Sequence, residues 1–366
     1  MRPAPADRIA VLAVLASLLV LSACSPPVAP APTATTAPSA AAALPTARSA
    51  PAATAAPPTA TTAPTVPPAP TPAPVPAGGP LAREHLAALS EDIGPRLPGS
   101  EEEFQAAEYV KGVFANLGYE VKVQDFSFTD EDDEELESAN VIAVKPGMST
   151  REIIVGAHYD ATDDGRGADD NASGVAVLLA VAALVKDQPA PYTIRFVAFG
   201  AEENDLDGSF AFVDEMDRAD IRNTAAMINL DSLIAGDIAY VYGDAGPGTL
   251  RDWIIADAQA KGLELDARTA ADLDEADGTP CDCADYDAFQ EAGIAFAYFE
   301  ATNWNLGDRD GLTQVDPEFG EDGVIRHTEY DTIDYIDTTF PGRIDHHLDL
   351  FVTLLYDALT QYQVPE

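Results

Sequence analysis

Beyond Tyr119 the chain alternates between short apolar runs rich in β-branched residues and longer stretches with helical spacing. Strands are predicted at Tyr119–Phe128, Ala139–Val144, Glu152–Ala157, Tyr192–Phe199, Ala225–Leu230, Ile238–Tyr242 and Ile294–Phe299. Helices are predicted at 81–93, 101–117, Ala172–Lys186, Ser209–Met216, Thr249–Lys261, Tyr286–Ala292 and Pro341–Gln363. Parallel strands need a crossover connection, and a helix is its usual form, so this alternation leaves few architectures open. The expectation is α/β: a single domain with a mostly parallel mixed sheet flanked by helices on both faces.

Open sheets of this kind bind ligands at the carboxyl ends of their strands. Three predicted strands run out into chemistry there: His158-Tyr159-Asp160, Glu202-Glu203 and Asp231. Gly167-Ala168-Asp169-Asp170-Asn171 opens a predicted helix, and His327 follows far downstream. Neutral imidazole and carboxylate are ligands of divalent cations, and a doubled Glu can supply one ligand and one proton carrier. Each motif alone is ordinary. His-x-Asp is usually a surface pair, Glu-Glu a solvated turn, and Asp-Asp-Asn before a helix is capping chemistry, for which Asn171 is the best candidate. Their convergence on strand ends points to a metal-assisted reaction.

HYD, GADDNASG, the Glu-Glu pair of AFGAEE, the Leu-Asp of MINLDS and HTEYDTID, taken in this order, resemble the co-catalytic zinc exopeptidases of family M28. The likeness covers roughly residues 82–360. It implies a zinc-exopeptidase fold (phosphorylase/hydrolase-like) and two Zn2+ ions, other divalent metals being compatible. It also implies these roles: His158 and Asp231 on one ion, Glu203 and His327 on the other, Asp170 bridging, Asp160 orienting the His158 imidazole, and Glu202 as general base. Three carboxylates and one hydroxide would balance two dications, which lowers the cost of burying them. The implied activity is an aminopeptidase hydrolysing N-terminal residues from peptides by metal-bound hydroxide, with carboxypeptidase or another M28 peptidase as the alternative. Further competitors are a glutaminyl cyclase, a single-zinc acyltransferase on a similar fold, and a non-catalytic binding lipoprotein.

Two departures accompany the likeness. Relatives often have Ser-Asp-His where this chain has Ala284-Asp285-Tyr286, and some carry a Tyr where Arg326 stands. The Tyr286 hydroxyl is either an oxyanion donor or a packing residue, so no oxyanion donor is assigned. Residues 301–326, with Trp304, Asp308 and Arg309, are expected at the rim of the substrate pocket.

The N-terminal residues are of another kind. Arg2 and Arg8, the apolar Ile9–Val20 and the small residues Leu21-Ser22-Ala23 read as an export signal over 1–24, too short for a spanning helix of about 20 residues. Leu21-Ser22-Ala23-Cys24 also resembles a bacterial lipobox, implying a lipidated Cys24 and an extracytoplasmic protein anchored to the cell envelope. Residues 25–80 are almost wholly Pro, Ala, Thr and Ser, with PTATTAP repeated from Pro32 and Pro58. Such a tract has too little apolar bulk to fold and favours extended polyproline, so it reads as a disordered stalk of about 3.1 Å per residue. The peptidase-like domain then spans 81–366.

The chain carries a formal net charge of −42, and all its acids but Asp7 lie beyond residue 80. A field of that sign repels phosphate, which excludes nucleic acid as a partner and leaves peptide substrates and the lipid anchor. The run Asp130–Glu135 reads as an exposed loop. Cys281 and Cys283 are too few for a four-cysteine zinc site, and a local disulfide and free thiols both remain open.

Overall fold

A computed structural model describes residues 78–130, 132–273 and 284–364. The signal segment, Cys24, the stalk, Cys281 and Cys283 lie outside them. Among the described residues the strands are β1 (Glu120–Thr129), β2 (Glu135–Lys145), β3 (Glu152–His158), β4 (Thr193–Phe199), β5 (Thr224–Leu230), β6 (Ile238–Gly243), β7 (Asp266–Ala267) and β8 (Phe296–Thr302). They form one mixed sheet in the order β1-β2-β4-β3-β5-β8-β6-β7. The central run β4-β3-β5-β8 is parallel, while β1–β2, β2–β4 and β6–β8 pair antiparallel. Of the acidic run, Asp130, Asp132, Asp133 and Glu134 lie between β1 and β2, and Glu135 already opens β2.

The helices are α1 (Gly79–Ala87), α2 (Glu101–Asn116), α3 (Ser173–Val185), α4 (Asp207–Asp214), α5 (Arg218–Asn223), α6 (Leu250–Lys261), α7 (Ala270–Leu273), α8 (Tyr286–Glu291), α9 (Ile333–Thr339) and α10 (Arg343–Gln361). Alternation along the buried strands sends side chains to two cores. Ile153 and Val155 of β3 join a cluster with α1, α2, α3, α6 and α10, whereas Ile154 joins a cluster with Phe212 of α4 and Phe289 of α8. α3 is apolar on all sides because sheet, α1 and α10 enclose it.

The expected architecture holds, with local differences. The last central strand starts two residues later than expected, because Gly293 at φ +77 closes α8 and Ile294 still packs with it. Pro341 and Gly342 do not begin a helix; they break the chain between α9 and α10, with Gly342 at φ +85. α5, α7, α9 and β7 are too short to leave a periodic signal.

Candidate metal centre and active site

His158 is the last residue of β3, Glu202 and Glu203 follow β4 by a short turn, and Asp231 follows β5 directly. Three adjacent parallel strands therefore deliver four of these side chains to one end of the sheet. Asp170 comes from the turn before α3, and His327 from the long irregular segment between β8 and α9. The predicted ligands His158, Asp170, Glu203, Asp231 and His327 meet here with Glu202 and Asp160.

His158 is 1% exposed. Its Nε2 lies 3.1 Å from Asp170 Oδ1, 3.6 Å from Asp231 Oδ1 and 3.7 Å from Glu202 Oε2. Its Nδ1 faces Asp160 Oδ1 at 3.4 Å, long for a hydrogen bond but set to orient the ring. Asp160 also accepts the Glu203 N–H at 3.0 Å, which couples the first motif to the third. On the other side, His327 Nε2 lies 3.0 Å from Asp170 Oδ2 and 3.0 Å from Glu203 Oε2. The two oxygens of Asp170 thus face different imidazoles. Three groups of donor atoms result: His158 with Asp170 and Asp231, Asp170 with Glu203 and His327, and His158 with Glu202 and Glu203.

The donor chemistry fits a metal. His158 Nε2, Asp170 Oδ1, Glu203 Oε1 and Asp231 Oδ1 are buried without hydrogen-bond partners, although buried polar atoms are normally paired. Cations among them would satisfy all four. The electrostatics agree. Burial, joined by neighbouring carboxylates, raises the pKa of Glu202 well above the usual range and raises Glu203 and Asp231 as well. Burial opposes ionisation of Asp170 too, but His158 and His327 outweigh it and hold that carboxyl well below its usual value. Burial disfavours the His158 imidazolium, yet Glu202 and Asp231 overcome this and raise its pKa well above normal. Positive charge placed in this cluster would release the extra protons, so cation binding is coupled to pH.

The centre opens into a cavity of about 400 Å³. Its walls include Leu206, Leu273, Tyr298, Trp304 and Leu312. Trp304 therefore belongs to the pocket as expected, but Asp308 and Arg309 are exposed and do not line it; Asp310 and Leu312 do. Arg326 also lines the cavity. Its Nη1 donates to Glu300 Oε1 at 2.7 Å, while Glu300 Oε2 accepts the Tyr242 hydroxyl at 2.6 Å and that hydroxyl accepts Trp304 Nε1–H at 2.7 Å. Tyr286 is not among the residues that line the cavity: it is 2% exposed, stacks on Phe296 with centroids 4.4 Å apart and packs behind Tyr298 in the core.

Several supporting residues are invisible as motifs. Arg96, in the segment between the predicted helices 81–93 and 101–117, is fully buried, and its guanidinium donates to the carbonyls of Leu89, Gly94, Tyr159, Arg166 and Gly167. It pins both ends of the loop between His158 and Asp170. Glu103 of α2 is 1% exposed and accepts the N–H groups of Gly99 and Ala201 and the Ser138 hydroxyl, fixing the residue before Glu202. Asp331 accepts the N–H groups of Asp169 and Asp170. Asn171 takes the capping role expected of it, since its Oδ1 accepts the Gly174 N–H in the first turn of α3.

A sheet with two histidines and at least four carboxylates at its carboxyl edge, beside a walled cavity, is the architecture of a metallo-exopeptidase. The description Peptidase family M28 matches residues 140–352, and the chain belongs to that family. Alkaline phosphatase isozyme conversion protein of Escherichia coli (strain K12) is 32% identical over 279 residues, 68% of this chain and 81% of the relative. Aminopeptidase YwaD of Bacillus subtilis (strain 168) is 30% identical over 63% of this chain and 46% of its own length. The probable lipoprotein aminopeptidase LpqL of Mycobacterium tuberculosis is 30% identical over 56% of this chain and 42% of its own. Among solved structures, BSAP, a zinc aminopeptidase from Bacillus subtilis, superposes with a TM-score of 0.62 at 20% identity, covering 80% of this chain and 97% of that one. Porphyromonas gingivalis glutaminyl cyclase superposes at 0.57 and 20% identity, covering 77% and 96%.

Proposed function

We propose that this chain is a dinuclear zinc aminopeptidase that hydrolyses N-terminal residues from peptides. One observation carries the reading: Asp170 presents one carboxylate oxygen to His158 and the other to His327, at 3.1 and 3.0 Å. A carboxylate so shared suits a bridge between two ions. His158 and Asp231 would hold one, and Glu203 with His327 the other. Bound ions of this kind lower the pKa of water and polarise a carbonyl oxygen.

The chain's own residues do the rest. Glu202, deep in the cavity beside His158, takes the proton of the attacking water and passes it to the leaving amine nitrogen. Burial raises its pKa, the direction that favours returning the proton to a leaving group. Glu203 is the better ligand of the two glutamates, being 3.0 Å from His327. Asp160 keeps the His158 ring in register. The acidic wall suits a free α-amine. The sequence of residues 1–80 further supports cleavage before Cys24, lipid attachment there, and a stalk over 25–80 that carries the 81–366 domain outside the cytoplasm.

The test is Glu202→Gln. The expected result is a fall in kcat of roughly 10²–10⁴-fold with metal content unchanged. A variant that hydrolyses aminoacyl-anilides normally would remove Glu202 from this role. N-blocked anilides cleaved as fast as free ones would end the aminopeptidase reading. The fold shared with glutaminyl cyclase favours a second reading, in which the chain cyclises N-terminal Gln on a single zinc. One ion per chain together with that activity would establish it.

A further inference from the structure

Asp169 stands beside the proposed bridge but belongs to none of the donor groups. It is fully buried, and so is Gln314. Asp169 Oδ1 accepts the N–H groups of Ile234 and Ala235 at 2.7 and 2.9 Å, and its Oδ2 accepts Gln314 Nε2–H at 2.6 Å. Gln314 Oε1 in turn accepts the N–H groups of Ile325 and Arg326 at 2.9 and 2.8 Å. One carboxylate therefore ties three segments together: its own turn, which carries Asp170; the chain just past Asp231; and the loop that ends in His327.

We propose that Asp169 and Gln314 are a positioning pair that sets His327 in the metal centre. The proposal rests on the reading that His327 holds an ion. His327 needs such support. Its side chain is 52% exposed, its backbone sits at φ +55, and from residue 303 to 331 the β pairing is a single bridge, Glu321 to Val324. Strand register cannot place a residue in that segment. A buried amide that accepts the two peptide N–H groups just before His327 can, provided its other end is fixed. Asp169 fixes it, because a carboxylate only accepts and so dictates which way the Gln314 amide points.

The contact can be exchanged without changing net charge. Asp169→Asn sets amide donor against amide donor, and Gln314→Glu sets carboxylate against carboxylate. Combining the two restores one donor facing one acceptor. It also keeps acceptors for Ile234, Ala235, Ile325 and Arg326. Zinc titration calorimetry and total metal analysis would compare the wild type, both single variants, the double variant and His327→Ala.

Each single variant is expected to weaken, by roughly ten- to a hundredfold, the same ion that His327→Ala weakens and to leave the other alone. The double variant should return to within about threefold of the wild type. Singles that bind like the wild type would overturn the proposal. So would singles that lose both ions equally, as a general loosening would, or a double variant no better than its parts. If neither single variant folds, the double variant decides: wild-type binding supports the pair, and unfolding or binding like His327→Ala overturns it. A wild type that takes one ion overturns the two-ion reading instead. The pair then stands or falls on whether that ion weakens in the singles and recovers in the double.

Discussion

His158 and His327 face the same carboxylate from opposite sides, yet the protein holds them by different means. His158 ends a central strand, is 1% exposed, and inherits its position from pairing with β4 and β5. His327 sits on an irregular segment, half exposed, and depends on the Gln314 side chain that grips the two peptide groups before it. The difference teaches that the centre has a framed half and a strutted half. Framing is redundant, since many ladder bonds share it. Struts are few, and each is a separate point of failure.

The frame should break hardest at Arg96. Arg96→Lys leaves several buried carbonyls without donors, because a lysine cannot reach five acceptors in fork geometry. A loss of about 3 kcal/mol or more is expected in urea denaturation of the metal-free chain. A loss below about 1 kcal/mol would show that water or relaxation satisfies those carbonyls and that the loop needs no such anchor.

His158→Ala and His327→Ala test the comparison directly. In the metal-free protein His158 is a cation enclosed by buried carboxylates, so its loss should cost on the order of 3 kcal/mol. The His327 side chain is 52% exposed, and its loss should cost clearly less than that of His158. Equal losses would erase the distinction between frame and strut.

The pH response should separate His327 from a histidine of the opposite kind. In the metal-free chain, hydrogen bonds that the His327 imidazole donates to Asp170 and Glu203 raise its pKa to about 11. Its contribution is therefore fully present below about pH 6.5 and fades as pH rises toward 11. His347, on the buried face of α10, is pushed down to about 3 by burial and by Arg343. Its neutral state favours folding above about pH 6.5, and stability falls as pH drops toward 3, by about 1.4 kcal/mol per unit. Denaturation midpoints across pH should flatten on the alkaline side for His327→Gln and on the acid side for His347→Gln. The reverse pattern would refute both assignments.

The smallest effect is expected at Tyr286→Phe. Loss of the hydroxyl should cost about 1 kcal/mol of stability and change kcat less than about twofold. A fall in kcat of about a hundredfold would make that hydroxyl an oxyanion donor after all.

Much of the framed half was legible in the sequence. Apolar β-branched runs end at His158, before Glu202 and at Asp231, and in a parallel sheet such ends converge whatever the loops do. The strutted half was legible only as ligand types. Nothing local marks the partners of Asp169, Gln314 or Arg96, which are backbone groups or side chains up to 145 residues away in the chain. Hydrogen-bond geometry of that range has no period to read. The same limit misplaced the pocket rim, where Asp308 and Arg309 share the loop with Trp304 but turn outward with the backbone, Arg309 at φ +65.

The two margins of the sheet bear on how copies of this protein meet one another. β7 ends one margin after only two residues, Asp266 and Ala267, and β1 forms the other with Glu120, Lys122 and Asp125 along its exposed length. A stunted strand offers little to extend, and a charged one repels an identical neighbour laid alongside it. An eight-stranded sheet would otherwise invite strand-to-strand assembly at high local concentration. Here the margins themselves discourage amyloid-like growth, leaving the carboxyl ends of the strands free for ligand chemistry.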